Sequence, residues 1–207
     1  MTPEKKQIFT IGHSNHEIDF FLELLQTYSI NCIVDVRSVP ASSYNPQYNQ
    51  KPLSAFLNLH NINYLHFGEE FGARIDDADY WDEEGTVDFK NWQKSRPFQD
   101  GIERVDIGTE KGFRIALMCS EGNPLECHRF SMISGYLEEN GMEVQHILKD
   151  KSTISNQELE EKALKKYKKK IPQPSLFEPN VDEKAQLEAA YRIHNKEVGW
   201  NGKTKTY

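Results

Sequence analysis

Short apolar runs and helical stripes alternate along most of this chain. QIFTIG, NCIVDVRS and FRIALMCS are each almost continuously apolar and rich in β-branched residues. Such runs suit strands buried on both faces. INYLHFG and EVQHIL supply two more strands. Between the strands the period changes. Ile18, Phe20, Phe21, Leu24 and Leu25 form a helical face that runs to about Tyr28, with Asn15 placed to cap it. PLSAFLNLHN predicts a second helix, and Phe89–Ser95 and Pro97–Thr109 predict two more, ended by Gly112. PLECHRFSMISGYLEENG predicts a helix ended by Gly141. Strands alternating with helices predict an α/β fold with a mainly parallel sheet flanked by helices, a Rossmann-like three-layer arrangement.

This pattern places the α/β domain at residues 8–151. Two segments interrupt it. VPASSYNPQYNQKP, with three prolines, is a loop, and the acidic stretch Glu69–Asp88 reads as a long surface loop whose carboxylates form a solvated charge run. Residues 152–207 read as a C-terminal tail. It contains a helix at Asn156–Lys170, a linker marked by Pro172, Pro174 and Pro179, and a polar helix from about Asp182 to Val198.

Composition narrows the class. The chain has 207 residues, long enough for one sizeable core. Its net charge of -7 excludes a uniformly basic coat for nucleic acid, though not a local basic patch. Cys32, Cys119 and Cys127 are an odd number, and MTPEKKQIFTIGHSN contains no apolar stretch of signal-peptide length. These features point to a reducing cytoplasm and no disulfides. No segment is apolar for long enough to span a membrane, so no membrane association is expected.

Candidate chemistry collects at strand ends, where open α/β sheets bind ligands. The first strand ends in Gly12-His13-Ser14, the second in Asp35-Val36-Arg37-Ser38 and the fourth in Met118-Cys119-Ser120-Glu121. The helix after the fourth strand has Asn123 as a cap, Pro124 at its first position and Glu126 at its third, a capping-box pattern. Arg129 falls on the inward stripe with Leu125, Met132, Ile133, Tyr136 and Leu137. An inward arginine near a helix start favours an anion, with Arg37 as the other side of a clamp and Ser14 and Asp35 beside it. Equally, Arg129 could form a structural ion pair with Asp35 or Glu121. Cys119 occupies a position suited to a nucleophile, with His13 or His128 as its base and Glu121 as an alternative nucleophile or base. A buried, inert cysteine is the competing reading, and Cys127 is expected to pack against the sheet. The C-x7-C-H separation does not match the usual short ligand spacings, so no metal and no cofactor are expected.

TIGHS, VDVRSVP, INYLHFGEEFG, LMCSE and CHR follow one another in this order. In this the chain resembles the domain of unknown function 488 family over about Phe9 to Lys149. The resemblance implies an α/β fold and no established reaction. Its motifs fall on His13, Ser14, Asp35, Arg37, Pro40, Cys119, Glu121, Cys127, His128 and Arg129. Phe71-Gly72-Ala73-Arg74 departs from the Leu-Gly-Gly pattern expected there.

A second signal lies in the tail. Gln173-Pro174-Ser175-Leu176-Phe177 resembles the short peptide by which bacterial polymerases and repair proteins dock on the sliding clamp. There Gln enters a polar subsite and the Leu-Phe pair fills an apolar pocket. Alternatively, Leu176 and Phe177 fold back onto the domain. The run Lys165–Lys170 is a candidate for weak, salt-sensitive phosphate contacts, or for a solvated helix end. Three functions are compatible with these features. One is an enzyme on an anionic small molecule, nucleotide or nucleic acid in DNA maintenance. Another is a non-catalytic adaptor that reads a ligand or DNA and is tethered to the clamp. The third is a small-molecule metabolic enzyme with no DNA link.

Overall fold

The computed structural model describes residues 6–174 and 181–202. Six strands form one sheet: β1 (Gln7–Gly12), β2 (Cys32–Asp35), β3 (Asn63–His66), β4 (Ile115–Cys119), β5 (Glu143–Ile147) and β6 (Thr153–Ser155). Their order is β3-β2-β4-β1-β5-β6. The first five are parallel and β6 pairs antiparallel with β5. The expected mainly parallel three-layer fold is present. The boundary expected at 151 falls between two strands that pair in this sheet.

Alternation explains the continuous apolar runs. Ile8, Val34, Ile115, Leu117, Cys119 and Val144 feed one core layer. Phe9, Ile11, Ile33, Ala116, Met118 and Ile147 feed the layer on the other face. Helices α1 (Ile18–Thr27) and α2 (Gln50–Leu59) bury Leu24, Leu25, Leu53 and Leu57 in the second layer. The short α3 (Gly68–Phe71) and α4 (Phe89–Trp92), the longer α5 (Arg96–Glu110) and α6 (Gly135–Glu139) cover the first. α1 begins three residues past the expected cap: Glu17, with no side-chain cap bond, occupies that position. Asn15 instead lies within a tight turn, next to Ser14 at φ 49°.

The C-terminal segment packs on the same body. α7 (Asn156–Tyr167) starts with a capping box between Ser155 and Glu158. α7 and α8 (Glu183–Val198) enclose a third cluster with Phe130, Ile154, Leu159, Tyr167 and Tyr191. His194 of α8 bonds the Ser131 hydroxyl at 2.7 Å and the Leu125 carbonyl at 3.2 Å. The acidic loop is pinned rather than wholly solvated. Val87 is fully buried, Asp82 accepts from the backbone amides of Glu84 and Thr86, and Thr86 bridges to Asn201.

The segment after β4 departs from the single helix expected. Pro124–Glu126 is one tight 3₁₀ turn, Cys127 is extended (φ -136°, ψ 141°), and Arg129–Ser134 is a π-helical stretch leading into α6. Asn123 does cap, accepting from the Leu125 amide, but it caps only that first turn. The extended Cys127 breaks the register assumed from periodicity. A π stretch then absorbs the offset before α6, a deviation that recurs at functional sites.

Candidate functional site

The ends of β1 and β4 are tied together beyond the sheet. The His13 amide donates to the Cys119 carbonyl at 2.9 Å and the Ser14 amide to the Ser120 carbonyl at 2.8 Å. Gly12 is required here: a Cβ on it would lie 1.8 Å from the Glu121 carbonyl oxygen. Arg129 is fully buried and fixes the same loop from behind. Its guanidinium donates to the Glu121 carbonyl at 2.6 Å and the Gly122 carbonyl at 3.1 Å, while Nε has no partner among the described residues. Neither half of the earlier expectation describes Arg129. Among the described residues it pairs with no carboxylate, and its bonds go to the Glu121 and Gly122 carbonyls.

Asp35 and Arg37 form the other wall. Asp35, fully buried, takes Arg37 bidentately at 2.8 and 2.5 Å and accepts from the Tyr64 hydroxyl at 2.6 Å. Arg37 also donates to the Tyr48 carbonyl and to His13 Nε2. With Nε2 accepting, His13 carries its proton on Nδ1 and donates it to the Ser14 carbonyl at 2.7 Å. Its ring stacks on Tyr48 at 4.2 Å. Burial, then the charge of Arg37, lowers its pKa to about 4. Both nitrogens of His13 are therefore engaged, and Asp35 is enclosed behind Arg37. These two residues hold the site in shape; the expected roles of proton mover and direct ligand have no free atoms to perform them.

The thiols, Glu121 and His128 lie on the β4 side. Cys119 donates its thiol hydrogen to Glu121 Oε2 at 3.0 Å. His128 Nδ1 lies 3.8 Å from Cys119 Sγ and 3.8 Å from Cys127 Sγ. His128 Nε2 is buried with no partner among the described residues. The two thiols titrate as a pair. The hydrogen bond to Cys127, together with burial, pushes Cys119 well up. Burial also opposes ionisation of Cys127, but the Cys119 hydrogen bond and the charges of Arg129 and His128 outweigh it and bring Cys127 well down. Burial, then the Cys127 charge, raises Glu121. Burial works against protonation of His128, yet Cys127 and Glu121 raise it overall. Cys127 thus belongs to the cluster rather than to sheet packing alone. Its extended backbone turns the thiol toward Cys119, a geometry invisible to helical periodicity.

A cavity of about 400 Å³ opens over this cluster. Cys119, Glu121, Cys127 and His128 line it, together with Arg37, Arg74 and Trp200. Arg74 is exposed, lies 4.7 Å over the Trp200 ring, and pairs with no carboxylate among the described residues. Neither Arg74 nor Trp200 stood out as functional in the sequence; the only signal was the departure Phe71-Gly72-Ala73-Arg74. Ser14 lies elsewhere. It lines a neighbouring cavity with His16, Gly122 and Lys149, so the Glu121–Glu126 segment divides the expected single rim in two.

A family model described as Domain of unknown function DUF488 matches residues 17–137, more than half of the chain. The chain belongs to this family. The match spans Asp35, Arg37 and the whole Cys119–Arg129 segment of this DUF488 protein. It stops before α8 and Trp200, which complete the pocket. No curated protein and no solved structure matches the chain.

The tail residues are placed differently. Gln173 is exposed, and its amide turns back onto the carbonyls of Lys168 and Ile171. Leu176 and Phe177 lie outside the described residues. In the basic run, Lys166 and Lys170 face Glu197 at 2.8 and 3.9 Å, and Lys165 faces Glu161 at 4.0 Å. No helix among the described residues is long and apolar enough to cross a membrane.

Proposed function

We propose that this DUF488 protein is an enzyme acting on a small anionic substrate, of nucleotide type, in the pocket above Cys119. One observation carries the reading. Two thiols, a carboxylate and an imidazole, which packing alone would not require, meet at a cavity also lined by Arg37 and by Arg74, which has no carboxylate partner among the described residues. Arg74 would take the anion as a forked donor, and Trp200 beside it offers an aromatic surface for a base. Glu121 is the proton carrier, because His13 has both nitrogens engaged. Calorimetric titration with adenosine monophosphate, inorganic phosphate and pyrophosphate tests the pocket. Binding weakened by R74A is expected, with E121Q still binding. A wild-type protein that binds none of these at millimolar concentration would sink the reading.

The tail motivates a second reading, docking on the sliding clamp through Gln173, Leu176 and Phe177, which would direct the activity to DNA maintenance. Its support is the peptide itself and the exposure of Gln173 and Pro174 beside a lysine-rich helix end. The two readings are compatible. Titration against a bacterial sliding clamp, with a Leu176→Ala, Phe177→Ala double variant as control, decides it: micromolar binding lost in the variant is expected, and no wild-type binding discards it.

A further inference from the structure

We propose that Cys119 Sγ, Cys127 Sγ and His128 Nδ1 bind one zinc-class divalent ion, with a fourth coordination position open to the pocket. The three ligand atoms lie within 4.8 Å of one another. Both sulfurs stand 3.8 Å from Nδ1. Metal–sulfur bonds of about 2.3 Å and metal–nitrogen bonds of about 2.0 Å at tetrahedral angles separate sulfur from nitrogen by roughly 3.6 Å. The observed spacing is close to that edge. It is also equal on the two sides, and long for either as a hydrogen bond; an imidazole bonding one thiol would draw toward it. Two thiolates and an imidazole in tetrahedral array select zinc over the harder divalent ions.

The local spacing that argued against a metal describes ligands held by one short loop. Here β4 supplies Cys119, and the break in the following helix supplies Cys127 and His128. Arg129, behind the loop, and His194, which bonds Ser131 and the Leu125 carbonyl, hold the second ligand segment in place. These bonds fix the backbone on either side of the ligands rather than the ligand atoms themselves.

The chemistry rests on the enzyme reading above, whereas the ion site stands on its own geometry. Three protein ligands with an open fourth position is the arrangement of catalytic rather than structural zinc. Glu121 is not one of the three ligands, yet its Oε2 lies 3.0 Å from Cys119 Sγ. Metal binding displaces the thiol proton, which frees this carboxylate beside the open position. A metal-bound water then gives one proton to Glu121, and its hydroxide adds to the electrophilic centre of the substrate. The leaving group departs with the proton that Glu121 held, so the net change is hydrolysis. Two thiolates and an imidazole on zinc, with a separate Glu moving the proton, are sufficient for such an attack.

The test uses the full chain. Metal content is measured on protein purified without chelator, and stripped protein is titrated with zinc and with cobalt(II). One zinc per chain is expected, and a cobalt spectrum with the intense visible bands of a tetrahedral site and a thiolate charge-transfer band. C127S and H128N should lose stoichiometric metal, while E121Q and C32A keep it. C32A controls for binding to any thiol. Folded wild-type protein that takes up no zinc and gives a featureless cobalt spectrum would overturn the proposal, as would C32A abolishing the spectrum as fully as C127S. Phosphate binding measured on the same stripped protein separates the two ideas. If it persists without metal uptake, the pocket stands and the ion site falls; metal uptake without anion binding does the reverse.

Discussion

Two walls of one pocket treat their polar groups in opposite ways. On the β2 side, Asp35, Arg37, Tyr64, Tyr48 and His13 form a closed network with contacts of 2.5 to 3.2 Å. On the β4 side, Cys119, Cys127 and His128 are equally buried, but His128 Nδ1 stands 3.8 Å from both sulfurs, Cys119 bonds Glu121 at 3.0 Å, and His128 Nε2 has no partner among the described residues. Buried polar groups are normally satisfied, because leaving one unmade costs about 1–3 kcal/mol. The closed network therefore holds the shape of the pocket, and the looser cluster beside the cavity is the one that a ligand would complete under the proposed function.

The largest test of this contrast is Asp35→Ala. It strands the Arg37 guanidinium in the interior and should cost about 3–5 kcal/mol in denaturant unfolding. Cys127→Ser, measured with chelator present, should cost less than about 2 kcal/mol. Equal costs would erase the distinction between the walls.

A pH titration of stability comes next and examines the scaffold alone. Burial lowers His194 to about 4 and His146 to about 3. His146 sits between Thr10 and Asn156, and His194 between Ser131 and Leu125. The unfolded chain protonates these histidines near 6.5, the folded chain only near 3–4. Their stabilisation is thus complete above 6.5 and is lost as pH falls toward 4. Each contributes up to about 3 kcal/mol to that loss. Unfolding free energy that stays flat from pH 7 to pH 4 would contradict this.

Gly12→Ala should cost about 1–3 kcal/mol, because its Cβ must push back the Glu121 carbonyl. That movement carries Glu121 with it, so turnover in the proposed reaction should fall further than stability does, with anion and metal binding retained. The smallest effect on the fold belongs to Arg74→Ala. Stability should change by no more than about 0.5 kcal/mol, while anion affinity falls about tenfold. If R74A binds phosphate as well as the wild type, the anion is held elsewhere.

Much of this architecture was readable before folding. The apolar runs of β1, β2 and β4, with INYLHFG and EVQHIL for β3 and β5, name five of the six strands, since strand periodicity is a local property. Strand-end rules then placed Cys119, Glu121, Arg37 and His13 near one another. Periodicity failed at Cys127, where a 3₁₀ turn and a π stretch replaced regular helix and turned the thiol inward. It also could not show that Arg129 serves backbone carbonyls, or that Asp35 spends its charge on Arg37.

The sequence by itself determined the alternating strands and helices, the family, and the residue types available for chemistry. Each follows from short-range spacing, which the chain carries at every point. Only the tertiary structure decided which polar groups are spent on one another and which face a cavity. Arg74 meets Trp200 only after α8 has packed against the domain, and His128 stands between two sulfurs only because the backbone breaks at Cys127. Hydrogen bonds and ligand distances depend on groups far apart in the chain, and local pattern holds no record of them.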